Sequence, residues 1–139
     1  MVKKINHNIM FLKKKSIQVK KTDKDIPQLI KDMKDTLAFN RAACVGMAAN
    51  MIGVNKAVII FSEGPFDRIM INPKITEKND EYETEEGCLS LEGVRVTKRY
   101  KEITVLYQDE NFEEKTEKFT GWVAQIIQHE CDHLYGIII

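Results

Sequence analysis

Residues 128–133, with the sequence QHECDH, constrain the chain more than any other segment, because they place two histidines four positions apart. On an α-helix such residues lie one turn apart on the same face, so the imidazoles of His129 and His133 can reach a single metal ion. Glu130 follows the first histidine and is placed to accept a proton from water that a metal activates. The pattern therefore predicts a C-terminal helix that carries part of a metal site.

The flanking residues support a helix between Thr120, a suitable N-cap, and Gly136, a suitable stop. The apolar residues between them recur at helical spacing: Trp122, Val123, Ile126, Ile127 and Leu134. We expect these residues to form the face of the helix that packs against the rest of the fold.

A catalytic metal usually has three protein ligands and one open position, so the two histidines need a further partner. The sequence ends six residues after His133, and among those residues only Tyr135 has a side chain that could coordinate. Tyr135 lies two positions from His133 and therefore points away from the metal-binding face. We expect the third ligand upstream, which disfavours an ordinary zinc protease, whose third ligand lies downstream.

Three upstream residues are candidates for the third ligand: His7, Cys44 and Cys88. Cys131 is a poor candidate, because it lies two positions from each histidine and points away from their shared face. Cys88 follows Gly87, which permits close backbone approach, so the local sequence slightly favours Cys88. Cys44 remains open as an alternative at this point.

The composition is that of an ordinary globular chain, and we expect residues 1–139 to form one domain. A formal net charge of zero gives no reason to expect DNA as a partner. Three cysteines, an odd number, argue for a reducing compartment. No apolar run reaches the ~18 residues that a membrane span needs, so a cytoplasmic enzyme without a membrane partner is expected.

The hydrophobic pattern predicts an α+β fold in which short antiparallel strands pack around the C-terminal helix, with an N-terminal helix before them. Apolar residues at helical spacing predict that first helix over residues 25–41. The strands are expected at four places: 54–62, 68–75, 101–108 and 112–119.

The remaining segments are expected to be irregular. Residues 1–24 are predicted to form a solvated, partly extended lead-in. Asn72-Pro73 is expected to end a strand, and the polar segment 74–85 is expected to contain a turn at 78–80. The apolar tail 137–139 is expected to pair with the sheet.

Two sequence blocks together resemble the peptide deformylase family: EGCLS at residues 86–90 and QHECDHLYG at residues 128–136. A third block, CVGMAANMIG at residues 44–53, is similar to the family's glycine-alanine motif, which carries a glutamine near its end. The three blocks occur in the family's order, and the resemblance extends from about residue 10 to the end of the chain.

The resemblance implies that Cys88, His129 and His133 bind one divalent metal ion, Fe(II) in many members, with Zn(II) or Ni(II) also able to occupy the site. It implies hydrolysis of the formyl group on the N-terminal methionine of nascent polypeptides. Glu130 would accept a proton from water and pass it to the leaving amine.

The resemblance also implies roles around the metal. The backbone N–H of Leu89 would stabilise the oxyanion, Gly46 would offer its backbone to the substrate peptide, and Arg95 would lie near the peptide-binding edge. Three further side chains resemble supports of the metal ligands, with Arg99 as a partner: Glu86, Gln128 and Asp132.

The first motif departs from the family pattern at two positions. Met51 stands where the family has the glutamine whose side-chain amide helps to stabilise the oxyanion, and a thioether has no donor. Loss of one such donor typically costs about 10²–10³ in rate, so reduced activity is expected. Cys44 replaces the first glycine of the motif. Asn50 could replace the missing amide only if the loop turned to present it.

Met51 leaves two alternatives to a deformylase open. One is a non-catalytic or repurposed relative that binds metal and peptide, and the other is an amidase that acts on a different acyl group. The expected partners are N-formylmethionyl peptides, and the chain is expected to be a monomer or a weak homodimer. Residues 1–24 carry eight lysines and one acidic residue, which indicates either a weak, transient contact with ribosomal RNA or a solvated face.

Overall fold

Five antiparallel strands form one sheet that lies between two helices in this computed structural model, which describes residues 1–88 and 91–137. Each strand pairs with the next along the chain, in the order β1-β2-β3-β4-β5. The α+β class, the antiparallel sheet, the N-terminal helix and the C-terminal helix are confirmed. The elements in chain order are α1 (Ile9–Leu12), α2 (Ile26–Phe39), β1 (Gly46–Ala48), a 3-10 turn (Ala49–Ile52), β2 (Val58–Glu63), β3 (Phe66–Cys88), β4 (Leu91–Gln108), β5 (Glu114–Thr120) and α3 (Gly121–Leu134).

The two faces of the sheet carry separate hydrophobic clusters. On one face, Val58 and Ile60 of β2 share a cluster with Met33 and Leu37 of α2. On the other face, Ile59 belongs to a cluster with residues of β4, β5 and α3. Because successive residues of a strand point to opposite faces, β2 is buried on both sides and reads as a continuous apolar run.

The strands β3 and β4 are longer than expected, because two segments with turn-like residues remain within β3. Asn72 has a φ of 52° and lies at a register shift between Ile71 and Lys74, so Asn72-Pro73 bends the strand without ending it. Asp80 has a φ of 62°, yet its neighbours Asn79 and Glu81 keep their pairing with β4. The predicted turn at 78–80 is therefore wrong, and the polar connection is a strand.

The N-terminal segment, residues 1–24, packs against the rest of the fold, so the prediction of a solvated lead-in is only partly correct. Leu12 of α1 and Val19 are buried, and Asn72 pairs its side-chain amide with both backbone groups of Val19. The Ser16 backbone N–H donates to the Leu134 carbonyl at 2.7 Å, so the segment crosses the C-terminal end of α3.

The limits of α3 follow the sequence signals, but one residue of its predicted apolar face does not pack inward. Thr120 is the N-cap, and Gly136 has a φ of 77°, which ends the helix. Trp122 is 61% exposed, in contrast to Ile127 and Leu134, which are buried. In the tail, Ile137 is 48% exposed, and Ile138 and Ile139 lie outside the described residues.

Across residues 1–88 and 91–137, none of the helices combines the length and the apolar character that crossing a membrane requires.

We predict that Gly136→Ala destabilises the protein more than Gly53→Ala, although both glycines have a positive φ. A Cβ at Gly53 would meet no atom within 4 Å, so alanine there costs only about 1–2 kcal/mol of backbone strain. A Cβ at Gly136 would lie 2.1 Å from the Lys13 carbonyl oxygen, which adds the ~1–3 kcal/mol of an overpacked site. Urea unfolding of both variants measures the difference, and equal losses would contradict the contact between Lys13 and Gly136.

Candidate metal centre

His129 and His133 lie on one face of α3 and bring their ring nitrogens together. The two Nε2 atoms are 3.0 Å apart, and the ring centroids are separated by 4.8 Å. Two nitrogens bound to one tetrahedral zinc at ~2.0–2.1 Å would be about 3.3–3.4 Å apart. The separation in the protein therefore fits two imidazoles that point at a shared cation.

Cys88, the last residue of β3, completes a cluster of three ligand atoms. Its sulphur and the ring nitrogens of His129 and His133 all lie within 4.8 Å of one another. Within residues 1–88 and 91–137, His7 and Cys44 do not belong to this group. The third candidate ligand is thus upstream of the helix.

The other two cysteines are poor metal ligands in this fold. Cys131 is buried in the cluster of apolar residues between α3 and the sheet, and burial raises its pKa. Cys44 lines the same cavity as Cys88, but burial and the charge of Glu130 raise the pKa of its thiol to about 12. A metal needs the thiolate, which disfavours both of these cysteines, and Cys88 is the cysteine that belongs to the cluster.

The cluster can hold little positive charge of its own. Burial opposes a charge on His129, but hydrogen bonds with Cys88 and Glu86 outweigh burial and raise its pKa to about 10. Burial and the neighbouring His129 lower the pKa of His133 to about 3. Two rings this close share at most one proton beyond the single N–H that each neutral imidazole carries, and a bound cation would displace that extra proton.

A buried ionic network contacts the ring nitrogen of His129 that faces away from the cluster. Its Nδ1 lies 2.8 Å from Glu86 Oε1, and Arg99 donates to Glu86 at 2.6 Å and to Asp132 at 2.7 Å. Burial raises the pKa of Glu86, but bonds from His129 and Arg99 outweigh it and lower that pKa to about 2. A charged Glu86 can only accept, so His129 keeps a proton on Nδ1, and its Nε2 would offer a lone pair to the cluster once a bound cation displaced the second proton.

Glu86 and Asp132 both contact Arg99, as the sequence suggested. Gln128 does not join this network. Gln128 accepts from the Tyr100 backbone N–H and donates to the Tyr100 carbonyl, both at 2.8 Å. It therefore joins α3 to β4. Gln125, which sequence reasoning missed, donates to Glu86 at 2.9 Å.

Glu130 is a buried carboxyl beside the cluster. It is 4% exposed, and its Oε1 has no hydrogen-bond partner among the described residues. Burial raises its pKa to about 7, despite the opposing effect of His129. A carboxyl whose pKa lies near neutrality is suited to take up and release a proton at the working pH.

The cluster opens into a cavity of about 460 Å³. Its walls come from the 41–46 segment, Met51, the end of β3 and one face of α3. That face consists of Trp122, Gln125, Ile126, His129 and Glu130. Trp122 and Gln125 precede His129 by seven and four positions, so helical periodicity could have assigned both to the cavity.

Gly46 lets β1 approach α3 closely at Glu130. A Cβ at this position would lie 2.8 Å from Ile126 Cγ2, 3.1 Å from Glu130 Oε2 and 3.2 Å from the Ile60 carbonyl oxygen. A side chain here would therefore displace Glu130 or its helix. Gly46 lines the cavity, as its predicted role requires.

The cavity wall at residue 51 offers no hydrogen-bond donor. Met51 is 2% exposed, lines the cavity, and its sulphur accepts from the Ala48 backbone N–H at 3.5 Å. Asn50 does not replace the missing amide, because its Nδ2 donates to the His133 carbonyl at 2.8 Å. The loop therefore does not present Asn50 to the ligand cluster.

Two predicted site residues remain without a defined place in the cavity. Leu89 lies outside the described residues. Arg95 lies in β4, directly opposite Glu86 in the strand pairing, and is not among the residues that line the cavity. Its role near the peptide-binding edge stays a prediction.

Comparison with known proteins shows similarity along nearly the whole chain. A family model described as polypeptide deformylase matches residues 1–139. A peptide deformylase of Clostridium beijerinckii is 52% identical over 139 residues, which cover 100% of both chains.

Solved structures show the same similarity in three dimensions. The peptide deformylase of Thermotoga maritima has a TM-score of 0.89 at 31% identity, covering 99% of this chain and 95% of that one. The class I type b peptide deformylase of Acinetobacter baumannii, bound to Met-Ala-Ser, has a TM-score of 0.90 at 29% identity, with coverages of 99% and 97%.

We predict that Cys88→Ala abolishes the retention of a divalent metal ion and that Cys131→Ala does not. Alanine at 88 removes one of three ligands, whereas alanine at 131 removes a core sulphur that faces away from the cluster. Metal content after anaerobic purification measures both. Equal metal loss in the two folded variants would overturn the ligand assignment.

Proposed function

The chain belongs to the polypeptide deformylase family, and we propose that Cys88, His129 and His133 bind its metal while Glu130 transfers the proton. Membership makes the chain a metal-dependent hydrolase that removes the N-formyl group, and the substrates of the family are N-formylmethionyl peptides. The convergence of the three ligand atoms beside a buried carboxyl is the observation that carries the residue assignment.

The donor set fits a divalent transition metal. One thiolate and two imidazoles suit Fe(II), Zn(II) and Ni(II), and we propose Fe(II), with the other two able to occupy the same residues. When bound, such a cation supplies Lewis acidity, which polarises the formyl carbonyl and makes water more acidic. The protein contributes the fixed ligands and a partly enclosed cavity.

Glu130 is proposed to carry the proton. Its unpaired Oε1 and near-neutral pKa support uptake of a proton from the attacking water. The same carboxyl then gives that proton to the amine as the C–N bond breaks, so formate and a free amino terminus leave. Substrate binding by the Gly46 backbone is supported by its place on the cavity wall, next to Glu130.

Two further roles are carried from the family motif as proposals. The backbone N–H of Leu89 would donate to the oxyanion, and Arg95 would contact the peptide beyond its first residue. The structure of the Acinetobacter relative with Met-Ala-Ser supports a short peptide that begins with methionine as the ligand class.

We propose that turnover is slower than in relatives that carry the glutamine. Met51 supplies no donor, and Asn50 is engaged with α3, so the oxyanion lacks one side-chain partner. Family membership supports deformylation over the two alternatives, a repurposed binding protein and an amidase for another acyl group. Formate release from formyl-Met-Ala-Ser, measured anaerobically with Fe(II), separates deformylation from both alternatives.

We predict that Met51→Gln raises kcat/KM for formyl-Met-Ala-Ser by roughly tenfold to a thousandfold, because it restores an oxyanion donor. Met51→Leu is the matched control, since leucine fills the same space without a donor, and its kcat/KM should stay within about threefold of the original. If both variants give the same rate, a donor other than residue 51 serves the site.

We propose that the chain works in the cytoplasm as a monomer or weak homodimer and meets its substrates near the ribosome. All three cysteines are free thiols, which suits a reducing compartment. Residues 1–24 hold a net charge of +7, eight lysines against one aspartate, in a chain whose formal charge is zero. This asymmetry supports attraction to a polyanion such as ribosomal RNA.

The lysines that support this contact form an exposed N-terminal set, defined as Lys13, Lys14, Lys15, Lys20, Lys21 and Lys24. None of them forms an ion pair with a described residue. The Lys15 Nζ lies 5.6 Å from the ring centroid of Tyr135, at the end of α3. Binding there would leave the cavity, which lies along the earlier turns of α3, open to a peptide.

We predict that the triple variant Lys13→Gln, Lys14→Gln, Lys15→Gln co-sediments less with ribosomes. The slope of the logarithm of its binding constant against the logarithm of salt concentration should fall in magnitude by about 2–3, because three phosphate contacts are lost. Deformylation of a free peptide should not change. The matched control replaces three exposed lysines elsewhere, Lys31, Lys74 and Lys101, by glutamine. An equal effect of both triples would rule out a localised contact.

A further inference from the structure

The two histidines of the cluster differ in what holds the ring nitrogen that faces away from it. His129 Nδ1 is paired with Glu86 at 2.8 Å. His133 Nδ1 is buried and has no partner within residues 1–88 and 91–137. A histidine that binds a metal almost always donates its other ring N–H to an acceptor. If His133 binds the metal, its ring requires an acceptor that none of the described residues supplies by direct contact.

Asn50 carries a buried acceptor that is also unpaired. Its side chain is 1% exposed, and its Oδ1 has no partner in the described part of the chain. Its Nδ2 donates to the His133 backbone carbonyl at 2.8 Å. A carbonyl oxygen can only accept, so the amide must face it with nitrogen, and the orientation of Oδ1 is thereby set.

The orphan donor and the orphan acceptor thus belong to two residues that are already hydrogen-bonded to each other. Buried polar atoms without a partner are rare and costly, and one buried water commonly joins such atoms. The separation of Asn50 and His133 by 83 positions means that their pairing is built by the fold and not by local sequence.

We propose that Asn50 is the positioning residue of His133, which rests on the proposed role of His133 as a metal ligand. One buried water accepts from His133 Nδ1–H and donates to Asn50 Oδ1. This bridge fixes the tautomer in which the Nε2 lone pair points toward His129 and Cys88. Glu86 does the same for His129 with a charged acceptor.

Hydrogen bonds from neighbouring residues fix the backbone at Asn50. It lies in the 3-10 turn, and its backbone carbonyl accepts from the Asn6 side chain at 3.2 Å and from the Gly53 N–H at 3.1 Å. The Asn6 N–H also donates to the Met51 carbonyl at 2.7 Å. The N-terminal segment therefore holds a turn in which Met51 faces the cavity and Asn50 faces the metal-binding helix.

Ser16 offers the matched comparison. Its hydroxyl is also buried without a described partner, and its backbone N–H donates to the Leu134 carbonyl, next to His133 on α3. If the acceptor for His133 were Ser16, its removal would produce the effect that we assign to Asn50. The two residues separate the specific claim from any general disturbance of this end of α3.

The test uses the full zinc-loaded chain with Asn50→Leu and Ser16→Ala. We expect Asn50→Leu to weaken zinc affinity by about 10–100-fold in competition with a chromogenic chelator, and Ser16→Ala to change it by less than threefold. In ¹⁵N-histidine NMR, the slowly exchanging Nδ1–H signal of His133 should be lost in Asn50→Leu, while that of His129 remains.

If Asn50→Leu does not fold, NMR of the unsubstituted protein still tests the proposed hydrogen bond. Its His133 Nδ1–H should exchange slowly with solvent and show a nuclear Overhauser effect to the Asn50 side chain or to a bound water beside it. Fast exchange, or an effect only to Ser16, would overturn the proposal. Failure of the original chain to bind zinc through its histidines would instead overturn the proposed function, so the two failures are distinguishable.

Discussion

The ion pairs formed by the buried guanidinium of Arg99 determine the geometry of the candidate metal centre. Arg99 is 3% exposed and joins Glu86 on β3 to Asp132 on α3, while it stands itself on β4. Those elements include the two that carry the proposed ligands, since Cys88 ends β3 and both histidines lie on α3. A buried ion pair is weak evidence for stability, but here it sets the relative position of three elements and keeps Glu86 charged behind His129.

The residues proposed for metal binding and the position expected to assist turnover lie in different parts of this chain. The ligands and their supports come from β3, β4 and α3, whereas the amide expected for the oxyanion belongs to the 3-10 turn, where Met51 now stands. Cys44, the other departure from the family motif, holds its sulphur 2.7 Å from the Gly46 carbonyl oxygen, and its raised pKa keeps it protonated. The cluster of three candidate ligands includes Cys88 and not Cys44, so the substitutions at residues 44 and 51 alter the cavity wall while the proposed ligand set stays complete.

The sequence allowed the C-terminal helix and the shared face of its two histidines to be predicted because both follow local rules. His129 and His133 share a face through helical periodicity alone, and a catalytic metal usually needs a third protein ligand besides such a pair. The extent of β3 could not be predicted, since Asn72-Pro73 and residues 78–80 have turn composition but are held by pairing with β4. Trp122 was assigned to the packing face because its apolar character was given more weight than its spacing of seven positions from His129, which places it beside the cavity.

The proposed role of Asn50 also could not be predicted from sequence, because an asparagine in the sequence gives no sign of whether its side chain faces a cavity or a helix end.

The central claim is that one thiolate and two imidazoles bind a single cation. X-ray absorption spectroscopy at the metal edge of anaerobically purified protein tests it most directly. We expect one sulphur at ~2.3 Å and two imidazole nitrogens at ~2.0–2.1 Å for a zinc-loaded sample. A coordination shell of nitrogen and oxygen without sulphur would contradict the account.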